Sequence, residues 1–109
     1  MDETRLKEIY GMLILANQET FDGKEFDAAY HSLAAASQCA AALNDVELLQ
    51  ATEVLAASEL ARIDSQHPEY QHSSASASQR GMKSVFEILR MTIKTKLQAI
   101  KNARLSHNP

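Results

Sequence analysis

The chain has 109 residues, 11 basic and 14 acidic side chains, a formal net charge of −3 and an apolar fraction of 45%. That length fits one domain, spanning 1–109, with a core of its own, so neither disulfides nor a structural metal is needed, and the apolar content excludes wholesale disorder. With only 3 Gly and 2 Pro, abundant alanine and few β-branched or aromatic residues, the composition calls for long helices and excludes a sheet-based fold.

The first helix is expected over 3–17. Asp2 can cap it, and Glu3 sits at the positive end of its dipole. Leu6, Ile9, Tyr10, Leu13 and Ala16 recur at helical spacing, and Met12, Ile14 and Leu15 widen the apolar arc, so this helix should touch neighbours on more than one side. Asn17 to Gly23 reads as a turn. Asp22 with Glu25 has the spacing of a capping box and opens a second helix over 23–43, whose seam is Phe26, Tyr30, Leu33, Ser37, Ala40 and Ala41. Between Asp27 and Asp45 there is no charged residue, and the face opposite the seam is Ala28, Ala35 and Ala42. A solvent-facing helix normally carries charge there, so this helix is either central or covered by another chain.

Asn44 with Glu47 gives another box spacing, and the third helix is expected over 46–65, with Leu48, Leu49, Thr52, Leu55, Ala56, Leu60 and Ile63 as its stripe. Glu59 falls inside that stripe. Pro68 stops the helix, because the residue before a proline disfavours the helical region. The serine-rich stretch 66–78 reads as a flexible loop, since serines compete with a helix for its backbone partners. Ser76 or Ser78 then caps a last helix over 79–105, with Met82, Val85, Phe86, Leu89, Ile93, Leu97 and Ile100 as its apolar stripe. Near 40 Å long, it should project beyond the others. The fold class expected from these elements is an all-α, antiparallel four-helix bundle.

Charge divides sharply along the chain. Residues 1–79 hold four basic and thirteen acidic residues, whereas 80–109 hold seven basic residues and the single acid Glu87. Lys83, Arg90, Lys94 and Lys101 fall on one stripe of the last helix, about a quarter turn from its apolar stripe. Such a basic helix can lie against the acidic helices of its own chain, or meet a partner with an acidic surface, including another copy. Nucleic acid fits less well, because no aromatics or glycines interleave the basic residues and the whole chain is acidic. A membrane surface is not expected: Trp is absent and the apolar face is taken up by the core. Lys96 lies on the flank of the apolar stripe, and Glu59 and Lys96 are expected to pair between helices or to reach the rim.

Chemistry-bearing residues are scattered. Cys39 is the single cysteine, which suits a reducing compartment and a small apolar role in the core. The acidic start Met1–Thr4 is no signal peptide, and no apolar run approaches the roughly 18 residues a membrane span needs, so a cytoplasmic protein is expected. Of the four histidines, His31, His67, His72 and His107, His31 sits four residues after Asp27 and His72 three after Glu69. Asp27 and His31 make a surface pair at helical spacing. Glu-x-x-His appears once, without the inward carboxylates that di-metal bundles use, so no metal or other cofactor is expected. Arg62 and His67 have an Arg-x4-His spacing that resembles the ribonuclease motif of the HEPN family, small helical bundles that dimerise. The resemblance covers two residues, and the polar residue that usually follows the arginine is Ile63 here. It implies that Arg62 and His67 cleave RNA across a dimer cleft. The residues themselves favour a non-catalytic helical interaction or scaffold protein that self-associates as a homodimer, with Ala28, Ala35 and Ala42 and the stripe Lys83, Arg90, Lys94 and Lys101 as contact surfaces. The alternatives are a small enzyme of the HEPN kind and a nucleic-acid binder acting through the basic helix.

Overall fold

The computed structural model describes residues 1–106, and His107 lies outside them. Regular structure among the described residues is entirely helical: α1 Glu3–Asp22, α2 Phe26–Ala42, α3 Val46–Gln66, α4 Ser74–Gln79 and α5 Val85–Ser106. Five helices replace the four expected, and three boundaries differ for identifiable reasons.

The expected turn at Asn17 is helical through Asp22, because Asn17 and Phe21, one turn apart, both face inward and are buried. Asp22 therefore belongs to α1 and caps nothing. The reversal falls at Lys24, whose φ of 64° is left-handed, and Glu25 precedes α2 without a side-chain cap. At the next turn Asn44 takes the left-handed conformation (φ 51°) that ends α2. The cap of α3 is instead Asp45, which accepts from the Leu48 N–H at 3.1 Å. As expected, Asp2 caps α1, accepting from the Thr4 N–H at 3.2 Å, and α3 ends just before Pro68.

The serine-rich stretch is folded rather than loose. Ser73 is buried and caps α4, accepting from the Ser76 N–H at 3.1 Å while its own hydroxyl donates to the Pro68 carbonyl at 2.7 Å. Asp64 accepts from the Ser74 N–H at 2.8 Å and the Ser74 hydroxyl at 2.6 Å, and Arg80 donates to the Gln71 carbonyl at 2.6 Å. After Gly81, at φ 70°, the buried Ser84 accepts from the Phe86 N–H at 3.2 Å and starts α5. Met82, in the break between α4 and α5, is exposed rather than part of the apolar stripe.

Packing follows the apolar stripes. α1 lies along α2, α3 lies along α5, and α2, which carries no charge after Asp27, also touches α3 and α5, so it is the central helix. One buried cluster gathers Tyr10, Leu33, Ala36, Ala40, Leu49, Ala56, Leu89, Ile93, Leu97 and Ile100, with Cys39 half-buried against it. A second gathers Phe21, Phe26, Ala29, Leu60, Ile63 and Phe86, so the end of α3 lies beside the start of α5. The molecule is drawn out to 50 × 29 × 18 Å. No helix among the described residues is long and apolar enough to cross a membrane.

Candidate functional site

α1 and α3 share few close backbone approaches, and long side chains bridge the space between them. The Tyr10 hydroxyl on α1 lies 2.9 Å from the Thr52 hydroxyl and 3.3 Å from the Leu48 carbonyl on α3. Two turns further on, the Asn17 amide donates to Glu59 Oε1 at 2.9 Å and to the Ala29 carbonyl of α2 at 2.8 Å. Asn17 is wholly buried, its Oδ1 has no hydrogen-bond partner among the described residues, and Glu59 is 3% exposed. Burial pushes the Glu59 carboxyl up to about 7; the hydrogen bond from Asn17 and the Arg62 charge pull it down, and Asp22 adds to the rise. Desolvation wins because one donated hydrogen bond replaces the water shell of a carboxylate.

Above these bridges runs an apolar groove of about 560 Å³, lined by Tyr10, Ile14, Gln18, Gln50, Ala51, Val54, Leu55 and Ser58. It continues past Gln18, Leu55 and Ser58 into a recess bordered by Glu59 and Arg62. Val54 stands on its rim, 63% exposed. Leu15 of α1 is also in the open, and so is Met12, so the wide apolar arc of α1 is not fully taken up by neighbours within the chain.

The residues singled out from sequence are dispersed. Glu59 is met by Asn17, not by Lys96. Glu53 is level with Arg90 and Lys94, so Glu59, further towards the end of α3, faces the start of α5, while the half-buried Lys96 lies the other way along α5. The basic stripe is partly neutralised within the chain: Arg90 lies 2.9 Å from Glu53 and 3.2 Å from Glu87, and Lys94 lies 3.8 Å from Glu53. The Glu53 hydrogen bond and the nearby Glu87 charge hold the Arg90 guanidinium still more firmly protonated. Lys83 lies before α5 begins and so is not part of the expected helical stripe; it and Lys101 are exposed, without an ion pair to a described residue. On α2, Ala28 and Ala42 are exposed and Ala35 is half-buried.

Arg62 and His67 do line one recess, of about 60 Å³, with Phe21, Asp22, Lys24, Phe26 and Gln66. Both side chains are engaged there: the Arg62 guanidinium lies 4.7 Å above the Phe21 ring, and the His67 ring is 5.2 Å from that of Phe26, with its Nδ1 3.5 Å from Glu69. Asp27 and His31 do not form the expected pair. Asp27 instead accepts from the Tyr70 hydroxyl, whose proton is held more tightly through burial and that carboxylate, and His31 packs edge-on against Tyr30. His72 packs edge-on against Tyr70, and among the described residues no cluster of three His, Cys, Asp or Glu side chains is placed to hold a metal ion.

Sequence reasoning missed Asn17 and Val54. Asn17 continues the inward series of Tyr10 and precedes Phe21 by one turn, and that spacing was the available signal. Val54 is an isolated β-branched residue on the outward side of α3, and nothing in the chain marks which helix flanks it. The sequence matches no family model, no curated protein and no solved structure.

Proposed function

We propose that this protein is a small, non-catalytic interaction or scaffold module that self-associates, with its four long helices arranged as one antiparallel bundle. The observation that carries the reading is the open apolar groove between α1 and α3, bordered by the exposed Val54 and left over after the two interior clusters are complete. A groove of this size on so small a chain exposes apolar surface that water disfavours and that another protein surface can cover. The uncharged outer face of α2, with Ala28 and Ala42 in the open, is a further place for such contact. The partner is a second copy of the chain or a protein of acidic surface meeting Lys83 and Lys101. The lone Cys39 is in keeping with a reducing, cytoplasmic setting.

Sedimentation velocity across a concentration series tests the reading. A mass that rises from one copy to two supports it, and a single-copy mass at every concentration overturns it.

A ribonuclease reading has one observation in its favour, the shared recess of Arg62 and His67. A nuclease would lose cleavage of single-stranded RNA in both Arg62→Ala and His67→Ala. Absence of cleavage by the purified dimer removes that reading. Binding to nucleic acid through α5 would weaken steeply with added salt, so a flat titration removes that alternative.

A further inference from the structure

We infer that the α1/α3 groove is covered by the same face of a second copy, with α3 lying against α3 in the reverse direction about a two-fold axis beside Val54 and Leu55. This inference rests on the self-association proposed above and adds the surface and the orientation.

The case begins with charge. Residues 1–79 carry thirteen acidic side chains against four basic ones, so two copies approaching through this part of the chain repel each other over most of its surface. The outward side of α3 is an exception. Its exposed residues from Gln50 to Ala61 are Gln50, Ala51, Val54, Ser58 and Ala61, with no charge among them. Charge returns at the two ends of this stretch and with opposite sign: Glu47 before it and Arg62 after it, both exposed. Glu47, Ala51, Val54, Ser58 and Arg62 succeed one another at intervals of three or four residues, so they share one helix face.

Reversing this face against itself gives a consistent register. With the axis beside Val54, Glu47 of one copy stands opposite Arg62 of the other, Ala51 stands opposite Ser58, and the two Val54 side chains meet near the middle. Each Val54 then enters the groove floored by Tyr10, Ile14 and Leu55 of the other copy. The patch contains both projection and recess, which is what an isologous two-fold interface requires. Parallel packing would instead set Glu47 against Glu47 and Arg62 against Arg62. The small side chains Ala51 and Ser58 let the two helices approach closely beside the Val54 contact.

The area is of the right order. α1 and α3 are each about 30 Å long and about 10 Å wide, so together they present roughly 600 Å² in projection per copy. A standard stable interface buries about 800 Å² of accessible surface per partner, and rugged accessible surface exceeds its projection. The end pairs lie on the rim, so their contribution is mainly to register and encounter rather than to affinity.

The test uses sedimentation velocity, with circular dichroism and melting to check that each variant chain is folded. Val54 is 63% exposed, so Val54→Asp should keep the helical circular dichroism and melting of the isolated chain while weakening dimerisation at least tenfold. Glu47→Arg should weaken it by setting two positive charges against each other, and adding Arg62→Glu should restore it; because Arg62 also stacks on Phe21, melting of the double variant checks that its chain is intact. In a Cys39→Ala background, Val54→Cys should cross-link two copies through a disulfide, and Ala28→Cys should not. A dimer that ignores Val54→Asp and the charge exchanges but dissociates in Ala28→Glu overturns this surface while leaving self-association standing. A wild-type chain that stays single at every concentration overturns the self-association on which the inference rests.

Discussion

At the scale of single residues, the Glu59 carboxyl is set apart by its lack of water. Folded Glu59 keeps its proton up to about pH 7, whereas the ordinary value is 4.5. Between those values the folded chain binds more protons than the unfolded one, so its stability falls as pH rises. The full difference is about 3 kcal/mol once the pH passes 7. Glu59→Gln keeps an acceptor for Asn17 and removes the ionisation. Urea unfolding should show the variant about 2–3 kcal/mol more stable than wild type near pH 8 and equal to it near pH 4. Equal pH dependence in the two proteins would remove Glu59 as its source. Asn17→Ala acts in the other direction, taking from Glu59 its donor and from the Ala29 carbonyl the bond it accepts besides its helical one, and losing packed volume. A loss of about 2–4 kcal/mol is expected, with the Glu59 titration moved further up, readable by carboxyl NMR shifts.

At the scale of helices, the ends obey local chemistry that was only partly legible. Asp45→Ala should cost about 1 kcal/mol by removing the cap of α3, while Asn44→Gly should be neutral or stabilising, because glycine adopts its left-handed conformation freely. Thermal unfolding of the two variants would show the opposite order if Asn44 were the cap. The choice could not be made from the sequence, since Asn44 and Asp45 are both good caps and only the backbone angle separates them. The break between α4 and α5 has a mark in the sequence: Gly81 is followed by Ser84 and Glu87, itself a capping spacing, and Ser84 is the residue that starts α5. The apolar period ran through the break because Met82 falls on it by chance, although Met82 is exposed. The stripes of α2, α3 and α5 were legible because each presents one dominant apolar face. The turn wrongly placed at Asn17 shows the converse case, where a buried polar residue interrupts a period that the helix itself continues. The groove was not legible at all, because it depends on α1 and α3 being neighbours, and no residue pattern within either helix encodes that.

At the scale of the whole molecule, the sorting of charge has a mechanical counterpart. Arg90 and Lys94 fasten α5 to Glu53 on α3, so part of the basic stripe is spent within the chain. Arg90→Ala should cost about 1 kcal/mol, less in strong salt, as partly exposed pairs are screened. Phe86 has a larger role, because it is fully buried in the cluster that joins α1, α2, α3 and α5. Phe86→Ala should cost about 3–5 kcal/mol and lower one common transition seen by both circular dichroism and tyrosine fluorescence. Separate transitions would mean that the α1–α2 pair and the α3–α5 pair unfold independently.

The central place of α2 has a consequence in time as well as in space. α2 touches α1, α3 and α5, and its inward residues Ala29, Leu33, Ala36 and Ala40 are wholly buried. The backbone amides of these four residues can meet solvent only when the neighbouring helices part, so their hydrogen exchange should follow global unfolding. Beyond Ile100, where every described residue of α5 is exposed, the amides should exchange by local fraying, faster by orders of magnitude. The helix with no charge beyond its first turn is thus the one whose hydrogens the molecule keeps longest.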